Sequence, residues 1–500
     1  MHPDSADRVT IVGAGLVGAL LATLLAQRGL TVEVFERRPD PRRAGYAGGR
    51  SINLALAERG LEGLRRAGLT DAVMRLAVMM RGRMVHHRDG HAELLRYGRD
   101  DSEVIWSLSR GRLNITLIDA AERAGARFHF GHRLVGASFD AGVRLELHHE
   151  RSGGSVWHGC RYAIGADGAG SALRVAMHAA TPLGERIESL GHGYKELEIP
   201  AERAEPSTPG DPGSGNAGPG APAGQPVLTE AQHAALTPAG DAPAARPWPA
   251  RFAIEPHALH IWPRGNYMCI ALPNAEGNFT VTLFLASEGD PSFASLPDAA
   301  AARAFFKREF TDLLPLLPGF DEDFSNHPIG VLSTLYLDRW HVDGRAVLLG
   351  DAAHAMVPFH GQGMNCGFED AVELADLIGT RPHDPAGAFA EFERRRKPNA
   401  EAISAMALEN YIEMRDSVAD PDFLLRRALG RVLAERHPQH FMPRYSMVTF
   451  TRMPYAEAFA RGKVQDALLH ELCAGHARLE QVDLARADAL VVERLATLQP

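Results

Sequence analysis

The apolar pattern of the first forty residues changes period twice. "RVTIV" (8–12) is a short, mostly β-branched apolar run, which reads as a buried strand. "LVGALLATLLAQRG" (16–29) spaces its apolar residues as a helix does and ends on Gly29. "LTVEVFE" (30–36) returns to strand character and closes on Glu36. Gly13, Gly15 and Gly18 stand where the first strand gives way to the helix. In that setting each glycine has a task. Gly13 permits a sharp turn, Gly15 lets backbone approach a pyrophosphate, and Gly18 lets helix pack on sheet. The helix start then offers free N–H groups to phosphate. A carboxylate such as Glu36, about 20 residues further on, can hold a ribose hydroxyl. The spacing alone does not say which dinucleotide is bound.

Two distant apolar runs narrow the choice. "YAIGADGAGSALR" (162–174) is a strand ending at Asp167-Gly168, followed by a turn of small residues. "RAVLLGDAAHAMVPFHGQGMNCGFEDAVELADLI" (345–378) is a strand ending at Gly350-Asp351. A loop with Pro358, Gly361 and Gly363 follows, and then a helix beginning near Met364. Asp351 is placed to hydrogen-bond a ribityl hydroxyl. The helix start carries partial positive charge that suits a reduced flavin. NAD needs only the first unit. FAD, held along its length, needs contacts from all three segments, so the pattern predicts FAD.

The same glycine spacing recurs at Gly213, Gly215 and Gly218. No strand precedes it and Pro219 follows directly, so it fails the context that gives the motif meaning. It lies in 203–249, a Pro, Gly and Ala-rich stretch that reads as a mobile surface insertion with too little apolar content to form a core.

Composition closes off other classes. With 500 residues, 45% of them hydrophobic, the chain can bury more than one core. A net charge of -9 leaves no nucleic-acid footprint. Cys160, Cys269, Cys366 and Cys473 are far apart, which argues against disulfides and structural zinc. The 23 histidines include no H-E-x-x-H pattern, so no metal is expected. No apolar run approaches the roughly 20 residues that span a bilayer, and the N-terminus lacks a signal peptide's apolar core. A soluble, cytoplasmic protein with no membrane anchor is expected.

The three flavin segments together resemble the class A flavoprotein aromatic hydroxylases. Segments that FAD does not explain are more specific: "GRSINLALAERG" (49–60), "MRGRMVHHRDG" (80–90), "RYGRD" (96–100), "HGYKELEIP" (192–200), "PHALHIWPRGNYMCIALPNAEGNFTVTLF" (256–284), "ENYIEMRDSVADPDFLLRR" (409–427) and "FMPRYSMVTFTRMPYAEA" (441–458). These resemble the kynurenine 3-monooxygenase family over nearly the whole chain except 203–249. The resemblance implies that NADPH reduces FAD, that O2 adds to give a flavin hydroperoxide, and that L-kynurenine becomes 3-hydroxy-L-kynurenine. That step belongs to tryptophan breakdown. It implies no catalytic acid or nucleophile of the protein's own, because the cofactor carries the hard step. NADPH rather than NADH rests on the resemblance.

The resemblance also implies site residues. Arg83 and Tyr97 hold the substrate carboxylate, for which a planar guanidinium is well shaped, and Asn410 and Tyr445 are further substrate contacts. Phe279, Phe359, His360 and Met414 line the ring pocket. Val17, Arg37, Ala55, Arg110, Leu134, Met364 and Asn365 join Gly13, Gly15, Gly18, Glu36, Asp167, Asp351, Pro358, Gly361 and Gly363 around FAD. The expected fold is α/β (α+β): a Rossmann-like FAD-binding domain of the aromatic hydroxylase type with an inserted β-sheet substrate domain and a C-terminal helical region. The FAD domain takes 1–75, 105–185 and 325–385, the substrate domain 76–104 and 186–324, and the helical region 386–500. The chain acts as a monomer or homodimer. Two alternatives remain: another single-component aromatic hydroxylase, for salicylate or a hydroxybenzoate, and a flavin-binding redox sensor without catalysis.

Overall fold

A computed structural model describes residues 8–44, 53–140, 142–202, 252–413 and 421–498. Met414 and the 203–249 segment with its second glycine pattern lie outside the described residues.

A six-stranded sheet runs in the order His341–Val342, Ala346–Leu348, Tyr162–Gly165, Arg8–Val12, Thr31–Glu36, Arg127–Phe130. All its pairings are parallel except that of His341–Val342. Arg8–Val12 lies inside the sheet, with Val9 opposite Tyr162 on one side and Val32 on the other. A central parallel strand is covered on both faces, which is why "RVTIV" shows no alternation. The helix Leu16–Gln27 is buried over most of its circumference. It stops as its sequence predicts: Gly29 has φ 83°, its N–H donates to Ala26 O, and Leu30 N donates to Leu25 O. That pair of bonds is a Schellman closure, and it needs a residue at ease with positive φ.

A seven-stranded sheet is the second layer. Its order is Gly330–Tyr336, Arg186–Ile199, Phe279–Ala286, Met268–Pro273, Ala258–Pro263, Gly82–His86, Ala92–Arg96. The 80–100 strings form the hairpin at one edge, and Gly82–His86 pairs in parallel with Ala258–Pro263. At the other edge Gly330–Tyr336 pairs with Arg186–Ser189 and Gly193–Tyr194. The chain therefore returns to the six-stranded sheet at His341, later than the expected boundary at 325. One face of this sheet packs on the helices Ala299–Glu309 and Phe320–Asn326. They share a core with Trp262, Cys269, Phe279, Val281 and Leu283. The other face is left for the site.

After residue 385 the described chain is helical. A 28-residue helix, Pro385–Ile412, lies against Gly363–Thr380, and the shorter helices Arg444–Phe450 and Tyr455–Cys473 follow. None of the described helices is long and apolar enough to cross a membrane.

Candidate active site

The carboxyl ends of Arg8–Val12, Thr31–Glu36, Tyr162–Gly165 and Ala346–Leu348 point at one cavity of about 660 Å³, the position where open parallel sheets hold their ligands. Gly13 has φ 103°, and a Cβ on it would lie 2.5 Å from Ala166 O. A Cβ on Gly18 would lie 2.1 Å from Gly13 O. A Cβ on Gly15 would meet nothing within 4 Å, because its backbone faces the cavity. The three glycines thus serve turn, packing and open approach. Gly18 does this from behind the cavity wall.

Glu36 is fixed by its own neighbourhood. Its carboxylate accepts Ala14 N–H and Arg38 N–H, both at 2.9 Å. Asp167 accepts the Ser171 hydroxyl at 2.5 Å and Ala172 N–H at 2.7 Å, at the start of Ala172–Ala180. Burial raises its carboxyl above the ordinary range despite those bonds. Val17, Arg37, Ala55, Arg110, Leu134 and Asp351 also line the cavity, as do Pro358, Gly361, Gly363 and Met364. Asn365 stands behind the wall. Its carbonyl accepts Ala57 N–H, and its amide donates to Ala55 O and Gly361 O. It therefore shapes the loop that the cavity sees. The 18-residue helix Gly363–Thr380 starts at the wall, and no side chain caps its first turn, whose N–H groups have no partner within the helix.

The same cavity continues to Arg83, Tyr97, Tyr445, Phe359 and His360. Tyr97 and Tyr445 stack at 5.4 Å, and His360 stacks on Tyr445 at 5.5 Å. The Arg83 guanidinium carbon sits 5.7 Å from the Tyr97 ring centre and 5.5 Å from that of Tyr445. Three distant stretches of chain supply these side chains: the 80–100 hairpin, the turn at Pro358–His360 and the helix Arg444–Phe450. Burial pushes the His360 imidazole down to about 4, helped by the charges of Arg83 and Arg444, so it is neutral near pH 7. Burial likewise raises both phenols, which stay protonated.

Two expectations for the substrate end change. Phe279 is not on the cavity wall. It is fully buried on the opposite face of its strand, in the core with Phe252 and His260. Phe284, five residues on and so on the other face, lines the cavity instead. Met268, Ile270 and Leu272 share that face on the neighbouring strand, with Leu259 beyond. Alternation along 258–284 groups them on one face, without saying that this face is the cavity's. Asn410 is also behind the wall, donating to Phe359 O at 2.6 Å.

The chain matches the FAD binding domain family over residues 7–198 and 318–406. It is 53% identical over 501 aligned residues to a kynurenine 3-monooxygenase of Stenotrophomonas maltophilia (strain K279a), covering 100% of this chain and 99% of that protein. It is 52% identical to a protein of the same name from Xanthomonas euvesicatoria pv. vesicatoria (strain 85-10), with 100% and 99% covered. The chain belongs to the kynurenine 3-monooxygenase family. Among solved structures, the tetrameric form of 2-methyl-3-hydroxypyridine-5-carboxylic acid oxygenase superposes with a TM-score of 0.58 at 20% identity, over 85% of this chain and 96% of that one. That likeness is one of fold.

Membership in the kynurenine 3-monooxygenase family makes FAD the resident cofactor, and the residues present fit it. Gly15, Gly168, Gly170 and Gly363 line the cavity with backbone on which a Cβ would meet nothing within 4 Å. Carboxylates and a helix start lie beside that open backbone. A buried trio of possible metal ligands, His354, Cys366 and Asp370, lies elsewhere. Arg396 takes the place of a cation there, with Nε 2.7 Å from Asp370 and an NH2 group 3.3 Å from Cys366 Sγ.

Proposed function

We infer that this chain is a FAD-dependent monooxygenase that converts L-kynurenine to 3-hydroxy-L-kynurenine with NADPH and O2. The carrying observation is the continuity of one cavity, from the glycine turn at Gly13 to the cation at Arg83. Family membership supplies the substrate. When bound, FAD would supply the redox chemistry, accepting reducing equivalents from NADPH and activating O2, with one oxygen atom going to the ring and the other to water.

The protein's own residues bind, orient and exclude water. The Arg83 guanidinium faces the cavity beside Tyr97 and Tyr445; the Glu413 carboxylate acts on it from further off, and no carboxylate lies at salt-bridge distance among the described residues. Such a group gains most from an anionic ligand, and kynurenine brings a carboxylate. Tyr97 and Tyr445 flank that carboxylate and can donate to it. Leu259, Met268, Ile270, Leu272, Phe284 and Phe359 form an apolar wall for the aromatic ring, which keeps water from the reacting centre. An aniline is electron-rich enough to be attacked without losing a proton first. Neutral His360 packs beside Tyr445 and is not required as a base. A cytoplasmic setting, where NADPH is supplied, suits this activity.

NADPH oxidation by the FAD-loaded protein, with and without L-kynurenine and with products read by mass spectrometry, tests the reading. Strong stimulation and a product heavier by one oxygen are expected. Stimulation by salicylate or 4-hydroxybenzoate, with none by kynurenine, would overturn the substrate. FAD binding without stimulation by any of them would leave a redox sensor.

A further inference from the structure

Gln362 stands at the start of Gly363–Thr380 and lines the cavity while only 3% exposed. Its carbonyl Oε1 accepts the Tyr455 hydroxyl at 2.9 Å. Its two amide N–H donors have no protein partner among the described residues, and the open space beside them is the cavity. A terminal carboxamide torsion is broad and nearly two-fold. Something must decide which end of the amide faces the ligand, and that something is Tyr455.

Tyr455 is itself fully buried and firmly held. The Arg59 guanidinium lies 3.8 Å from the centre of its ring, and Arg59 is 1% exposed. Arg59 donates from Nε to Val448 O at 3.0 Å, pairs with Glu369 at 2.8 Å, and also donates to Met453 O. It thereby fixes the stretch of chain that leads from Tyr445 and Thr449, both on the cavity wall, to Tyr455. Burial raises the Tyr455 phenol far above its ordinary value, so it remains a donor at every working pH.

We propose that Tyr455, clamped by Arg59, is a positioning residue that turns the Gln362 carboxamide so that its N–H2 group donates to a carbonyl oxygen of a ligand in the cavity. This rests on the kynurenine reading. Two carbonyls have the required chemistry: the keto group of the substrate and a ring carbonyl of the flavin. Tyr455 touches neither and acts through Gln362.

Tyr455→Phe removes only the hydroxyl. Kynurenine affinity is read from the flavin absorbance change, and the flavin itself from FAD affinity and the substrate-free spectrum. A kynurenine Kd weakened about three- to tenfold, the scale of one hydrogen bond, with the flavin unchanged, assigns the bond to the keto group. A shifted spectrum or weaker FAD binding without kynurenine assigns it to the flavin. In either case Gln362→Met causes the same loss, and Tyr455→Phe adds nothing in the Gln362→Met background. A merely structural role would lower the melting temperature and leave the two losses additive. Additive losses, or wild-type values for both ligands in Tyr455→Phe and in Gln362→Met, would overturn the proposal. Failure of the wild-type protein to respond to kynurenine would instead remove the reading beneath it.

Discussion

The two ends of the cavity are built from different materials. The cofactor end is mostly backbone: a glycine turn, the ends of parallel strands and the start of a long helix. The substrate end is mostly side chain: Arg83, Tyr97, His360 and Tyr445, brought together from a hairpin, a loop and a C-terminal helix. A backbone site needs particular glycines at particular steps, so it writes a compact pattern into the sequence. A side-chain site needs only that distant residues meet, and it leaves no local pattern. Substitutions should therefore separate the two ends.

The largest effect on ligand binding, complete loss of the cofactor, is expected at Gly13. A side chain there costs about 1–3 kcal/mol of backbone strain and drives its Cβ against Ala166 O. Gly13→Val should purify without bound FAD, as flavin absorbance will report; a fully yellow protein would deny the turn its role. Next comes Phe279→Ala, which should cost about 3–5 kcal/mol of stability by emptying the core behind the sheet. The folded fraction should bind kynurenine as before, as denaturant unfolding and titration together will show. Phe284→Ala should do the reverse in binding, weakening kynurenine by about tenfold while FAD stays. Equal binding losses for the two phenylalanines would erase the distinction between the faces of that sheet.

The smallest effect is one of pH and lies away from the cavity. His86 and His260 bond at 2.8 Å, and His86 stacks on Trp262 at 4.2 Å. Burial depresses them to about 4 and about 3, from an ordinary 6.5. The unfolded chain then binds protons that the folded chain refuses. Stability is complete above pH 6.5 and falls as pH drops toward 4. The melting temperature should follow that course, with a shallower fall in His86→Asn. A flat profile would mean that the pair is not held neutral.

Legibility in the sequence followed the same division. The strand, glycine turn, helix and second strand of 8–36 were readable because local period and local geometry agree there. Asp167 was readable as a strand end, but not as an acceptor for the start of the next helix, since that needs the turn that brings Ala172 N–H and Leu173 N–H back to its carboxylate. Phe279 and Phe284 sit in one string whose alternation puts them on opposite faces. Which face meets the helices depends on Phe305, Phe306 and Phe320, and periodicity within the string says nothing of them. The resemblance implies ligand contacts at Asn365 and Asn410, whereas both bond backbone behind the wall. The place of Gln362 and Tyr455 needed a contact across 93 positions, beyond any local pattern.

The most direct test of a divided cavity is a kynurenine titration of FAD-loaded Arg83→Ala beside the wild-type protein. The account predicts full FAD content and a kynurenine affinity weaker by about 2–4 kcal/mol, the cost of leaving charged groups without a buried partner. Unchanged kynurenine affinity, or loss of FAD together with kynurenine, would contradict it.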